Sequence, residues 1–551
     1  MAGEALSAET IARAATFDPQ LRVPLRPRLR RGLAVQTTTD QVVVTGTPTR
    51  QLFRGASATT LLPGLLAALD GRRGHVELAQ AVGVSEGTVF KALSLLWACG
   101  VVEEAAPADV EVPDVPAAVA DLLSRLGDST GANLAWEHAA ARLARATVEV
   151  VGDQVLAQAV TDELEAPLRV GRAGSQAPSA GTTLVLLVHG ASLGAAAQRS
   201  LLEVADRCWR QGVPLLRVRM AAGAVEVGPY VHRGTTACLT CLTQDDAPDL
   251  PDGADVDALE RGLAAGLAAR EVFALVSRTT PVSLPTRWRR IDLEQLTATE
   301  MSGATRSGCP VCSCAPGRPL SPASLAARFE ASVAIPPRDF ADLKAHQAHY
   351  KPSNLALQRG FRSWPLAARV ALPPPDLGRL SGRPAETSSR PNALDATSLA
   401  LLLATGAGLK GVTGAKVDRW TAAGGNIGSV TAYAAVRDCP GIASGLYAYV
   451  AADHQLARLG DCPPQLTADR PVTVVLTGDY RKVARKYAAF ALRIVLLDSG
   501  CAQTTVRRVA RWLGLSARAR EHWDDDALAA ALGVAADVEP ITAVIDLGEQ
   551  P

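Results

Sequence analysis

Two pairs of cysteines far apart in the chain, Cys238-Leu-Thr-Cys241 and Cys309-Pro-Val-Cys312, constrain the fold more than any other feature of the sequence. Each pair can present two thiolates from one tight turn, and four thiolates together suit a tetrahedral zinc ion. The chain between Cys241 and Cys309 must then return on itself. A thioredoxin-like redox pair is disfavoured, because there are two such motifs and neither opens a helix after a strand. If Cys238, Cys241, Cys309 and Cys312 all bind, no position remains for a catalytic water, so the expected zinc is structural. Cys314, two residues further on, is a spare thiol that could replace Cys312. Ten cysteines in 551 residues are too few for a disulfide scaffold, which favours metal in a reducing compartment.

A chain of 551 residues leads to an expectation of roughly three to four domains. Lys+Arg 56 against Asp+Glu 55 leaves a formal charge of +1, so neither nucleic acid nor an anionic membrane is expected as a general partner. The first residues lack a signal-peptide pattern, and the apolar runs are broken before bilayer length, so a cytoplasmic location is expected. Composition and hydrophobic period divide the chain into residues 1–110, 111–324 and 325–551.

In the first part, residues 33–46 alternate apolar and polar around a Thr-Thr-Asp turn, which predicts an antiparallel hairpin. Helices are expected from about Ser57 to Leu69, around Val76 to Val82, and from Ser85 to Ala98, followed by a strand at 101–104. This is the outline of a winged-helix-like module. Lys91 is the only base on its third helix, so the charge needed to neutralise duplex phosphates is missing. A basic run, Arg22, Arg26, Arg28, Arg30 and Arg31, precedes the hairpin and is either a solvated edge or a surface for an acidic peptide.

A Pro-rich, acidic linker leads into the second part, where strand, glycine and helix recur from about Ala146. That order predicts a doubly wound parallel sheet. Its first strand ends at a lone Gly152 followed by Asp153, without the glycine-rich turn that brings backbone close to a pyrophosphate.

The GPYVHRGTTACLTCL segment with its distant second CxxC resembles the zinc-bearing region of the ubiquitin-activating (adenylating) fold, in the degenerate form of peptide-cyclodehydratase partner proteins. The first part resembles the precursor-peptide recognition element that precedes this fold. The resemblance implies that a leader peptide adds as a strand at about Gln41 to Thr45 and lies against the helix Ser85 to Ala98, a case of β-augmentation.

The third part carries several motifs in a fixed order: Thr387-Ser388-Ser389-Arg390; Ala423-Gly424-Gly425-Asn426 with Ser429; Gly445-Leu446-Tyr447-Ala448-Tyr449 with Asp453-His454; Arg485-Lys486-Tyr487; and Asp498-Ser499-Gly500 with Gln503. In this order they resemble the SagB-type azoline dehydrogenases of the nitroreductase superfamily. The resemblance implies an α+β flavin domain that binds FMN through Ser388, Arg390, Gly424, Gly425, Asn426 and Ser429, with Arg493 or Arg419 in support. It assigns catalysis to Lys486 and Tyr487, either of which could take the proton. Glu386 stands where the family has an arginine. Read alone, Val483, Tyr487, Phe490, Ile494, Leu497 and Cys501 make one apolar helix face, on which Tyr487 is an ordinary core aromatic and from which Lys486 points away.

The expected fold class is thus α/β and α+β multidomain: a winged-helix-like peptide-binding module, a doubly wound zinc-containing domain and a nitroreductase-like flavin domain. The function it implies is oxidation of thiazoline or oxazoline rings in a ribosomal precursor peptide, after a separate YcaO-type cyclodehydratase has formed them. A homodimer sharing the flavin is implied as well. The alternative is a non-catalytic leader-docking scaffold, and a winged-helix regulator is a weaker third.

Overall fold

Alternating periodicities in the sequence become two compact units, Leu6–Gln347 and Ala348–Pro551, the latter joined by Met1–Ala5. The computed structural model describes residues 5–107, 110–126, 129–164, 168–174, 176–190, 194–243, 256–280, 284–313, 317–342, 352–381, 394–413, 416–467 and 470–549.

In the first unit, Ser7 caps the helix Ala8–Ala15, which packs on the helix Glu86–Ala98. The predicted hairpin is a three-stranded antiparallel sheet, Ala34–Thr37, Gln41–Thr45 and Gln51–Arg54. Gln41–Thr45 is its central strand, hydrogen-bonded on both sides. That corrects the expected docking position, because a strand paired on both sides has no edge to offer a peptide. The free edges are Ala34–Thr37 and Gln51–Arg54. The helix expected from Ser57 to Leu69 is two, Ala56–Thr60 and Leu62–Ala68, divided at Leu61 ahead of Pro63. The other two helices run His75–Val82 and Glu86–Ala98, the second capped by Ser85.

The basic run is divided: Arg30 is buried and Arg28 half-buried, while Arg26 and Arg31 are exposed. Pro27–Leu29 pairs with Val102–Glu104, and Arg28 bonds Glu103 at 2.9 Å and Glu137 through both terminal nitrogens at 2.7 Å. Arg30 is buried and donates to the Ser124 carbonyl, while Arg31 pairs with Asp121 at 2.9 Å. These arginines tie the short ribbon to the helices Ala117–Leu126 and Trp136–Arg145. The reading as a solvated edge or as an acidic-peptide surface does not describe Arg28 or Arg30.

The second sheet of this unit is seven-stranded. Arg169–Arg172, Thr147–Gly152, Leu184–Gly190 and Leu215–Ala221 lie side by side in parallel, followed by antiparallel Ala224–Val231, Trp288–Asp292 and Ala298–Met301. Thr147–Gly152, Leu184–Gly190 and Leu215–Ala221 read as largely apolar runs because both faces are covered, whereas the edge strand Arg169–Arg172 is mostly exposed. At Gly152 (φ 132°) a Cβ would lie 1.8 Å from the Val188 carbonyl oxygen, so only glycine allows the first strand to turn there. Asp153 then caps the helix Gln154–Glu163.

The second unit is built on an all-antiparallel seven-stranded sheet in the order Arg369–Ala371, Gln455–Gly460, Gly445–Val450, Val430–Val436, Val472–Gly478, Ile541–Glu549 and Leu515–Ala519. Helices Ala396–Ala407 and Ala491–Trp512 pack together over a core containing Leu399, Leu402, Ala502 and Val506, while Leu528 and Leu532 of the helix Asp525–Leu532 belong to a separate core with Tyr433 and Val544. This mixed α/β, multi-part architecture has the general class expected.

Burial pushes the Glu103 carboxyl up to about 7, against the opposing pull of Arg28 and Arg30. Between the ordinary carboxylate range and pH 7, the folded chain therefore holds a proton that the unfolded chain releases, and stability falls as pH rises through that window. Glu103→Gln should remove this component, worth up to about 3 kcal/mol. Urea titrations of both proteins at pH 5 and pH 7.5 would measure it as a smaller pH-dependent loss in the variant.

Candidate functional site

The four paired cysteines meet. Cys238 and Cys241 lie at the short helix Leu239–Thr243, just after the strand Ala224–Val231; Cys309 and Cys312 follow the strand Ala298–Met301. Cys238 Sγ is 3.5 Å from Cys309 Sγ, Cys241 Sγ is 3.5 Å from Cys312 Sγ, and all four sulfurs lie within 4.8 Å of one another. A tetrahedron with Zn–S of about 2.3 Å has edges of about 3.8 Å, so the observed set fits such an ion. Interaction with the Cys238 thiol and an N–H bond from the Arg306 amide, at 3.3 Å, hold Cys241 well below the usual thiol range, while the same contact and burial raise Cys238 and burial raises Cys312, so the thiolate is favoured at Cys241 and opposed at those two. Cys314 lies outside the described residues.

In the second unit the functional candidates gather around one loop, at Gly424–Asn426. Gly425 sits at φ 57°, and a Cβ placed there would be 2.6 Å from Lys486 Nζ and 2.7 Å from Tyr487 Oη. The two side chains assigned to catalysis therefore converge over the glycine pair. Asp498 fastens the loop from below: Gly424 N–H donates to Oδ1 and the Ser429 hydroxyl to Oδ2, each at 2.7 Å. Asn426 donates to the Val417 carbonyl at 2.6 Å and to Gln358 Oε1 at 3.1 Å. Arg419 donates to the Gln358 and Ile427 carbonyls at 2.8 and 3.1 Å, and so acts as a strut. Arg493 stands in the first turn of the helix Ala491–Trp512, over the Phe490 ring. Ser388 and Arg390, with Glu386, lie outside the described residues.

The single apolar helix face expected across 483–501 is interrupted. The helix Tyr480–Tyr487 ends at Ala488, whose φ of 45° breaks the run, and a new helix spans Ala491–Trp512. Leu497 and Cys501 are exposed; the inward face of the second helix is Ala491, Val495, Asp498, Ala502, Val506 and Ala510. Asp498 lies within this helix on its buried face, which is why it can reach the loop.

Sequence reasoning missed Lys482. Its ammonium donates to the Ile427 and Gly428 carbonyls at 2.9 and 3.1 Å, and burial, with Arg419 nearby, lowers it to about 8. The available signal was its spacing, one helical turn before Lys486. Burial also lowers Lys486, whereas burial and then the Asp498 charge raise Tyr487. The lysine is thereby moved toward the neutral amine and the tyrosine held as the phenol.

What this site offers a bound group lies in the chemistry of its side chains rather than in an enclosed pocket. Gly424 N–H, Ser429 and Asn426 are hydrogen-bonded within the chain, so they shape the loop, and among the described residues the two cavities that border Ser429 are about 40 and 20 Å³. Lys486 and Tyr487, half-buried at the surface of the loop, offer a base and a hydroxyl donor.

No protein-family model and no curated protein sequence matches the chain. Solved structures with partial likeness include the heterocyclase TruD (TM-score 0.39, 17% identity, covering 53% of this chain and 43% of TruD) and E. coli MccB (0.39, 11%, 53% and 98%). Another is a nitroreductase-like protein from Anabaena variabilis (0.28, 18%, 37% and 45%). The chain spans less than half the length of TruD. Among the described residues no helix is long and apolar enough to cross a membrane.

Zinc removal should be felt throughout the first unit. Cys309→Ser should abolish stoichiometric zinc, measured by release to a chromogenic chelator under thiol modification, and destabilise Leu6–Gln347 by more than about 3 kcal/mol in urea titrations.

Proposed function

We propose that the chain is a peptide-modifying oxidoreductase whose Ala348–Pro551 unit dehydrogenates azoline rings to azoles with FMN. The observation that carries this reading is the convergence of Lys486 and Tyr487 on the left-handed Gly425 loop. It is supported by the ordered set of sequence motifs that resembles SagB-type dehydrogenases. Lys486, Tyr487 and Arg493 would meet the cofactor, with Ser388 and Arg390 at its phosphate. When bound, FMN supplies the hydride acceptor.

The division of labour follows from the environments of the two side chains. Lys486, with its ammonium disfavoured by burial, takes the proton from the ring carbon next to the C=N group. Tyr487 stays protonated and donates a hydrogen bond that orients the heterocycle. Lys482 and Arg419 hold the carbonyls of Asn426–Gly428 and keep the loop in register with them. A second copy of the chain would close the open side of the loop, which is the homodimer implied by the resemblance.

In the same reading the chain has three modules, 1–110, 111–324 and 325–551, and 1–110 is a winged-helix-like module that docks the leader of the precursor peptide. The leader would add at a free edge of the small sheet, where Val35 and Leu52 are exposed, and a YcaO-type cyclodehydratase would supply the rings. Tethering raises the effective concentration of the core peptide at the second unit. Zinc in 111–324 has a structural role.

A second reading, a leader-docking scaffold without catalysis, is favoured by the internally bonded Gly424–Ser429 loop and the small cavities beside it. Mass spectrometry of a cyclised precursor distinguishes the two. The enzyme reading predicts a loss of about two mass units per ring, the two hydrogens of one hydride transfer and one proton. Lys486→Met should lower that rate by about 10²-fold or more and remove its rise with pH, with Tyr487→Phe milder. An unchanged precursor mass, with leader binding intact, supports the scaffold.

A further inference from the structure

In the first unit, a cavity of about 740 Å³ opens at the amino ends of the parallel strands, bordered by Ala146, Thr183, Leu184 and Pro214. Doubly wound sheets take nucleotides at the opposite, carboxyl ends. One wall is a single face of the helix Trp136–Arg145, where His138, Ala141, Arg142 and Arg145 follow at helical spacing. The other is the end of the helix Ala258–Ser277, with Leu275, Val276 and Arg278, beside Tyr230.

The charge on these walls is unbalanced. Arg142, Arg145 and Arg278 have no carboxylate within 4.0 Å among the described residues, and Glu111 is the one acid in the lining. Arg142 donates to neutral acceptors, Asn133 Oδ1 at 3.1 Å and the Ala132 carbonyl at 3.3 Å. Arg278 lies with its guanidinium 3.6 Å from the Phe340 ring centre, which fixes the plane of its fork, and its buried Nη1 has no hydrogen-bond partner among the described residues. Burial lowers Arg278, Tyr230 and Asp339 oppose that, and the like charge of Arg142 adds to it. The two helices end here, and the negative ends of their dipoles help to seat the arginines.

Three guanidiniums against Glu111 in the lining and Asp339 near Arg278 leave a positive excess that suits an anion, and a planar fork suits phosphate oxygens in pairs. Leu184, Pro214, Leu275 and Val276 supply apolar wall for the body that carries it, in the size range of small-molecule sites. We propose that this cavity binds a phosphate monoester with an apolar or planar body.

Titration calorimetry of the full chain with phenyl phosphate and with AMP tests this. The expected result is saturable binding at one site per chain, weakened about tenfold or more by Arg145→Gln and by Arg142→Gln/Arg145→Gln. Arg145→Gln should leave the thermal midpoint and zinc content of the ligand-free protein unchanged, which separates loss of the ligand from loss of fold. Absence of saturable binding for both probes, binding that the variants retain in full, or tighter binding of citrate than of either probe would overturn the assignment.

Discussion

A single carboxylate organises the candidate active site. Asp498 receives the Gly424 amide on one oxygen and the Ser429 hydroxyl on the other, and the left-handed Gly425 between them lies under Lys486 and Tyr487. Burial raises Asp498, while those two hydrogen bonds oppose the shift. A buried carboxylate with both oxygens engaged holds its partners in one geometry and is costly to leave unpaired. Without this latch the Gly424 amide and the Ser429 hydroxyl lose their shared acceptor.

The first unit relies on a different constraint. Its sheet continues from parallel strands into three antiparallel ones, and the cysteines leave from the ends of two of these. An ion bound by all four thiolates would pin the long excursion between them. The strand turn at Gly152 is filled by the Val188 backbone rather than opened for a phosphate. Charged groups in this unit cluster instead around Arg28, around the buried Glu226 with Arg217 and Arg290, and around the cavity at the amino ends of the parallel strands.

Much of this was legible in the sequence where a local rule governs. Ser85 caps its helix, the apolar runs at 147–152, 184–190 and 215–221 became parallel strands, and two CxxC pairs announced a four-sulfur cluster. Failures arose where tertiary context decides. A single apolar period runs through Ala488 in the sequence, but the positive φ there, which no propensity predicts, breaks the helix and leaves Leu497 exposed. Arg28 reads as surface charge in the sequence because its acidic partners, Glu103 and Glu137, are remote along the chain. Lys482 was overlooked because its carbonyl acceptors lie more than fifty residues away.

The central claim is that the loop held by Asp498 receives a flavin. The most direct measurement is the visible spectrum of the protein after incubation with FMN and gel filtration, alongside Asp498→Ala. The wild-type chain is expected to retain FMN, near one per chain, and the variant to lose it while keeping any zinc it binds. A colourless wild-type protein that carries zinc yet leaves FMN in the small-molecule fraction would contradict it.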